Sequence, residues 1–170
     1  MNIYSTLLLL TLTGAAAVSD LKRGIIPNSL VAAGIACAFT AGFLTDGFRG
    51  LYLSAAGMCV PLLLLFLLFS LGMMGAGDIK LLCAAGSFLG PRNALGIICW
   101  SFLFGGAISA FLLIKRRNFF SRFHYFFEYL HESVRSRHPP PYLDRAGDDG
   151  KFCFAVPVFL AVAAHVGGLF

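Results

Sequence analysis

Residues 50–77 read GLYLSAAGMCVPLLLLFLLFSLGMMGAG, twenty-eight positions without a charged side chain, and the residue that ends the run is Asp78. A spanning helix needs about 20 apolar residues, so this stretch is long enough to cross a bilayer. Working outward, further uncharged runs occupy 1–19, 24–45, 93–114 and 152–170, and a shorter apolar run, 81–91, lies between Lys80 and Arg92. The short run starts at Gly77-Asp78, ends at Pro91 and cannot cross unaided. It is expected to begin below the membrane surface, its polar start lining a wet cavity. The chain is therefore expected to be all-α, a polytopic membrane protein of about six transmembrane helices, with residues 1–170 forming one membrane-embedded domain.

Composition points the same way. Of the 170 residues 58% are hydrophobic and 12% are charged, against roughly 25% charged in a soluble domain. That leaves too little polar surface to coat a globule in water. With six helices the connections alternate between two sides. Lys22, Arg23, Lys80, Lys115, Arg116, Arg117, Arg122, Arg135, Arg137, Arg145 and Lys151 then share one side, and only Arg49 and Arg92 fall on the other. The basic side should be cytoplasmic, with both termini facing away from it. The net charge of +5 is thus a matter of topology, and no nucleic-acid partner is expected. The run 1–19 lacks a basic flank at its start and is read as a retained helix.

The sizeable polar segment, 115–151, is expected to be a cytoplasmic basic loop. Its part 118–134 is rich in Phe and Tyr and suits an amphipathic helix on the membrane surface; the three prolines at 139–141 end any helix. His124, His131 and His138 recur every seven residues but lie two turns apart, and are read as solvated or headgroup-facing. The five cysteines, Cys37, Cys59, Cys83, Cys99 and Cys153, form no C-x-x-C pair and are read as small residues buried in helices. No metal and no cofactor is expected.

Two acids stand out. Asp20 closes the first run in Val18-Ser19-Asp20-Leu21-Lys22-Arg23, and Asp78 follows Gly75-Ala76-Gly77. By the alternation above both lie on the cytoplasmic side at similar depth. A carboxylate in the membrane interior costs about 2.5–3.5 kcal/mol on insertion scales, which marks both as functional candidates. The plainer alternative is a helix-end charge paired with Lys22, Arg23 or Lys80. Two carboxyl groups brought together share a proton, and one can then act as base on a water while the other acts as acid toward a carbonyl. The glycines before Asp78 would let an extended strand approach it. No G-x-S-x-G, H-E-x-x-H or P-loop pattern offers a rival constellation.

At these residues the chain resembles the prepilin peptidases, a family of G-x-G-D membrane aspartyl peptidases. Asp20-Leu-Lys-Arg-Gly-Ile-Ile-Pro27-Asn28 is similar to their first motif and Gly75-Ala76-Gly77-Asp78-Ile79-Lys80 to their second. Leu81 to Gly86, Gly90 and Lys151-Phe-Cys-Phe-Ala-Val-Pro157 continue the likeness, so that it spans nearly the whole chain. The resemblance implies an aspartic endopeptidase that removes the short basic leader of type IV prepilin-like precursors. Asp20 and Asp78 match its catalytic residues, while Gly75, Gly77, Lys80, Pro27 and Asn28 match substrate-binding or supporting motif positions. It also implies a bacterial inner (cytoplasmic) membrane location, a multi-pass topology with the site facing the cytoplasm, no metal, and a prepilin or pseudopilin precursor and membrane lipid as partners. Self-association is left open. Lacking the cysteine-rich insertion of bifunctional members, the chain is similar to the short, peptidase-only form, without the methylating activity. The alternatives are another G-x-G-D intramembrane protease, and a non-enzymatic carrier binding cations at the two aspartates.

Overall fold

A computed structural model describes residues 3–115 and 153–169; every element in it is an α-helix, and no strand occurs among the described residues. Helix α1 is Ile3–Arg23, α2 is Asn28–Ser70, α3 is Ala76–Lys115 and α4 is Ala155–Val166. Three of them, α1, α2 and α3 as far as Leu112, are long and apolar enough to cross a membrane. The fourth is apolar but only 12 residues long. The protein is a helical membrane protein.

The runs 24–45 and 50–77 both feed α2, and the runs 81–91 and 93–114 both feed α3, yet neither element is a straight rod. Gly47 (φ 59°, ψ −137°) interrupts α2, and Gly90 (φ 78°, ψ 171°) interrupts α3. Such angles are open to glycine and strained for other residues. Each glycine folds its helix back on itself. A methyl group placed on Gly50 would strike the carbonyl oxygen of Gly42, and one on Gly86 would lie 3.3 Å from the Cβ of Ala94. Residues eight apart in a straight helix are separated by about 12 Å, so the limbs on either side of each glycine run antiparallel. Pro91 opens the second limb of α3, where its missing N–H removes no helical hydrogen bond.

The first limb of α3 is the centre of the molecule. Residues 81–87 are buried without interruption, the signature of a helix enclosed on all sides. Around it stand Leu9, Leu12, Ala16 and Ala17 of α1, Leu65 of α2, and Ala155, Val158, Ala161 and Val162 of α4. Its fourteen residues, 76–89, reach about 21 Å, short of the ~30 Å hydrocarbon layer. The protein around residues 81–87 lets such a limb sit inside the bundle, since short or irregular helices are tolerated at membrane depth where protein covers them. The second limb of α2 approaches it most closely at glycine: a methyl on Gly57 would strike the carbonyl oxygen of Gly86, and one on Gly86 that of Gly57. Small residues at such crossings let backbones touch where no hydrophobic force draws helices together. The outer face of that limb exposes Leu62, Leu63, Leu64, Phe66 and Leu67, as a lipid-facing surface should.

Three boundaries differ from the sequence reading. α1 continues through Asp20 to Arg23, its last turn carrying Lys22 and Arg23, cations that suit the negative end of a helix. α3 begins at Ala76, one residue before the expected start at Gly77-Asp78, so Asp78 lies inside its first turn, where the helix dipole favours an acid. α4 is shorter than the run 152–170 that contains it. The basic loop expected at 115–151 (apart from Lys115), with its surface helix and its three histidines, lies outside the described residues.

Candidate active site

Both aspartates sit at one end of the bundle, each half-buried. Asp20 is held by the way α1 stops. The Gly24 N–H closes the helix by donating to the Asp20 carbonyl at 2.8 Å, and Ser19 Oγ donates to the Ile25 carbonyl at 3.0 Å across the turn. The chain then buries Ile26 and enters α2 through Pro27 (φ −62°, ψ 130°). Pro27 thus turns the chain: extended itself, it offers its carbonyl to the Leu30 N–H at 3.1 Å.

Asp78 is held by the way α3 starts. Its own N–H donates to the Gly75 carbonyl at 3.2 Å, and the Gly75 N–H donates back to its carboxylate, the reciprocal pattern of a capping box. A methyl group on Gly75 would lie 3.1 Å from Asp78 Oδ2, so the absence of a side chain there gives the carboxylate its room. Gly77 faces Ile26, with 3.6 Å between a methyl at 77 and the Ile26 Cβ. The same two segments are tied at the surface, where Lys80 Nζ donates to Asn28 Oδ1 at 3.0 Å.

The consequence is that Asp20 and Asp78, fifty-eight positions apart in sequence, lie near enough to act on one another electrostatically. Neither is neutralised as a helix-end charge by Lys22, Arg23 or Lys80; Lys80 is turned to Asn28 instead. All seven residues singled out in the sequence (Asp20, Pro27, Asn28, Gly75, Gly77, Asp78 and Lys80) therefore belong to the two neighbouring segments 20–28 and 75–80.

The chain matches the model of the type IV leader peptidase family over residues 7–110, a stretch that holds both aspartates and both segments. The chain belongs to the type IV leader peptidase family. No curated protein and no solved structure matches it.

One part of this leader peptidase's site was not expected. The start of α4 packs against Asp20: the Ala155 N–H donates to Asp20 Oδ2 at 3.5 Å, and the Cys153 thiol donates to the Asp20 carbonyl at 3.6 Å. The sequence did carry a signal for this, since alternation of six helices brings the start of the last one to the side of the two aspartates. Cys153 itself looked like any other helix cysteine. A cavity of about 600 Å³ lies at the opposite end of the bundle, between the turns at Gly47 and Gly90, bordered by Ser5, Asp46, Asn93 and His165. Neither aspartate lines it, so this cavity is not the one expected at the polar start of α3.

Proposed function

We propose that this leader peptidase is an aspartic endopeptidase that cuts the short basic leader from type IV prepilin-like precursors at the cytoplasmic face of the bacterial inner membrane. The observation that carries the reading is that Asp20 and Asp78 act on one another at one end of a helical bundle, with no cation paired to either among the described residues. One carboxylate takes a proton from a water whose oxygen attacks the scissile carbonyl carbon. The other carboxyl gives its proton to the carbonyl oxygen. Collapse of the tetrahedral intermediate passes a proton to the departing amide nitrogen and returns the pair to its starting state.

Six crossings fit this reading. Among the described residues the turns at Gly47 and Gly90 divide α2 and α3 into two limbs each, and six crossings would put eleven of the thirteen Lys and Arg of the sequence on the side of the aspartates, the cytoplasmic side by the positive-inside rule. A precursor with a basic leader followed by an apolar helix presents its junction at that depth. Family membership favours a peptidase over the cation carrier.

The test is cleavage of a prepilin-like precursor by the purified protein in liposomes, with the new N-terminus sequenced. A single cut immediately before the hydrophobic segment supports the reading. Cleavage within that segment would place the enzyme with intramembrane proteases of the other G-x-G-D kind, and no cleavage of any such precursor would overturn it.

A further inference from the structure

The last helix opens without a cap of its own. Phe154 stands at the N-cap of α4 and offers no side-chain hydrogen bond to the first turn, whose leading N–H groups have no partner within the helix. The last turn of α1 has the opposite deficit: its carbonyls lack helical partners, and it carries an acid, Asp20, where the dipole disfavours one. The two ends meet. Asp20 Oδ2 accepts the Ala155 N–H at 3.5 Å, and the Asp20 carbonyl, already holding the Gly24 N–H, also accepts the Cys153 thiol at 3.6 Å. Asp20 thus caps α4 from another helix, and α4 grips both its main chain and its carboxylate.

That grip is backed by packing. Ala155, Pro157 and Val158 are buried, the Phe154 ring lies 5.4 Å from that of Phe102 on α3, and Gly14 of α1 leaves room for the Phe159 ring. The start of α4 is wedged between the helices that carry the two acids. Residues 153–159 lie beyond the stretch 7–110 that the family model matches.

We infer that the segment 153–155 is a positioning element of the active site, in which the Cys153 thiol and the Ala155 N–H fix where the Asp20 carboxylate stands against Asp78. The inference rests on the peptidase reading. Reacting groups lose rate steeply when displaced by fractions of an ångström, and α4 is the external support of Asp20, as the capping interaction with Gly75 is the local support of Asp78. Cys153 touches neither water nor substrate in this role; it acts through Asp20.

The experiment measures precursor cleavage by wild type, Cys153→Ala and Cys153→Ser in liposomes, each normalised to folded, monodisperse protein. A neutral hydrogen bond is worth about 1 kcal/mol, so Cys153→Ala is expected to lower kcat about fivefold with KM unchanged. Cys153→Ser, which keeps a donor, should return to within about twofold of wild type. Equal kcat in wild type and Cys153→Ala, or equal losses in Ala and Ser, would overturn the inference while wild-type cleavage left the peptidase reading standing. A second measurement needs no activity. With Cys37, Cys59, Cys83 and Cys99 changed to alanine, Asp20→Cys should form a disulfide with Cys153 on mild oxidation, seen as loss of both maleimide-reactive thiols and their return on reduction. Thiols that stay reactive under oxidant would overturn the placement of Cys153 beside Asp20.

Discussion

A single missing methyl group sets the room around Asp78. Gly75 has no positive φ to protect, so Gly75→Ala should fold at least as well as wild type, since it narrows the unfolded ensemble. Its new methyl would stand 3.1 Å from Asp78 Oδ2 and displace the acid by a few tenths of an ångström. The expected outcome is a fall in kcat of about tenfold, for displacement of a reacting group, with no loss of thermal stability in detergent. A parallel fall in both quantities would mean that Gly75 serves the fold and not the acid. The Lys80–Asn28 bond offers a second separation. It is exposed, and Asn28→Ala should cost no more than about 1 kcal/mol of stability. Asn28→Asp should keep the tie as an ion pair, so cleavage should fall in Asn28→Ala and hold in Asn28→Asp. At this scale the sequence was legible where chemistry is costly. An acid near the membrane interior and a glycine beside it announce themselves, and all seven expected residues lie in the two segments that meet. Cys153 did not announce itself, because a cysteine in an apolar run reads as packing whether or not its thiol meets an acid.

The all-helical character of the chain was legible, the joints between its apolar runs less so. Uncharged runs locate apolar limbs, but a run carries no record of whether the chain turns between two limbs through a loop or through one glycine. Gly47 and Gly90 do the turning here, and the boundary error at Asp20 has a related cause: a charged residue was taken to close the helix, whereas Lys22 and Arg23 at the end of α1 are charges that a helix end favours. Two kinds of glycine follow, and substitution should tell them apart. Gly90→Ala meets no neighbour within 4 Å, so its cost is backbone strain alone, of order 1–3 kcal/mol. Gly57→Ala keeps its backbone geometry but drives a methyl into the carbonyl of Gly86, an overpacking cost of about 1–3 kcal/mol. Thermal unfolding should show both losses. Gly86→Ser should add to Gly57→Ala by less than the sum of the two, because they share one contact, whereas Gly90→Ala should add independently to a distant change such as Ser70→Ala. Additivity of the first pair would contradict the close crossing of α2 and α3.

For the molecule as a whole, the proposed placement in the bilayer rests on two counts from the sequence, the apolar runs and the sides on which Lys and Arg would fall. What it could not supply is the enclosure of the first limb of α3, which lets a helix too short to cross sit at the centre and carry Asp78. Nor could it show that both ends of the bundle hold polar groups, the acids at one and the cavity beside Asp46 and His165 at the other. The account requires these ends to face opposite compartments. In intact cells, a membrane-impermeant maleimide should label cysteines introduced at Phe48 or Arg92 from outside, and cysteines at Lys22 or Ile25 only after the membrane is opened. Equal labelling at the two ends would break the alternation on which the cytoplasmic placement depends.

The claim at the centre is that Asp20 and Asp78 act as one catalytic pair, and its most direct measurement is cleavage of a prepilin-like precursor co-expressed with wild type, Asp20→Asn or Asp78→Asn. Asparagine keeps the size of the side chain and removes the ionisable acid. The account predicts trimming by wild type and loss of at least about a thousandfold in each variant, as expected when one member of a unit that works together is removed, with both variants still inserted in the membrane. Normal trimming by either variant would contradict it.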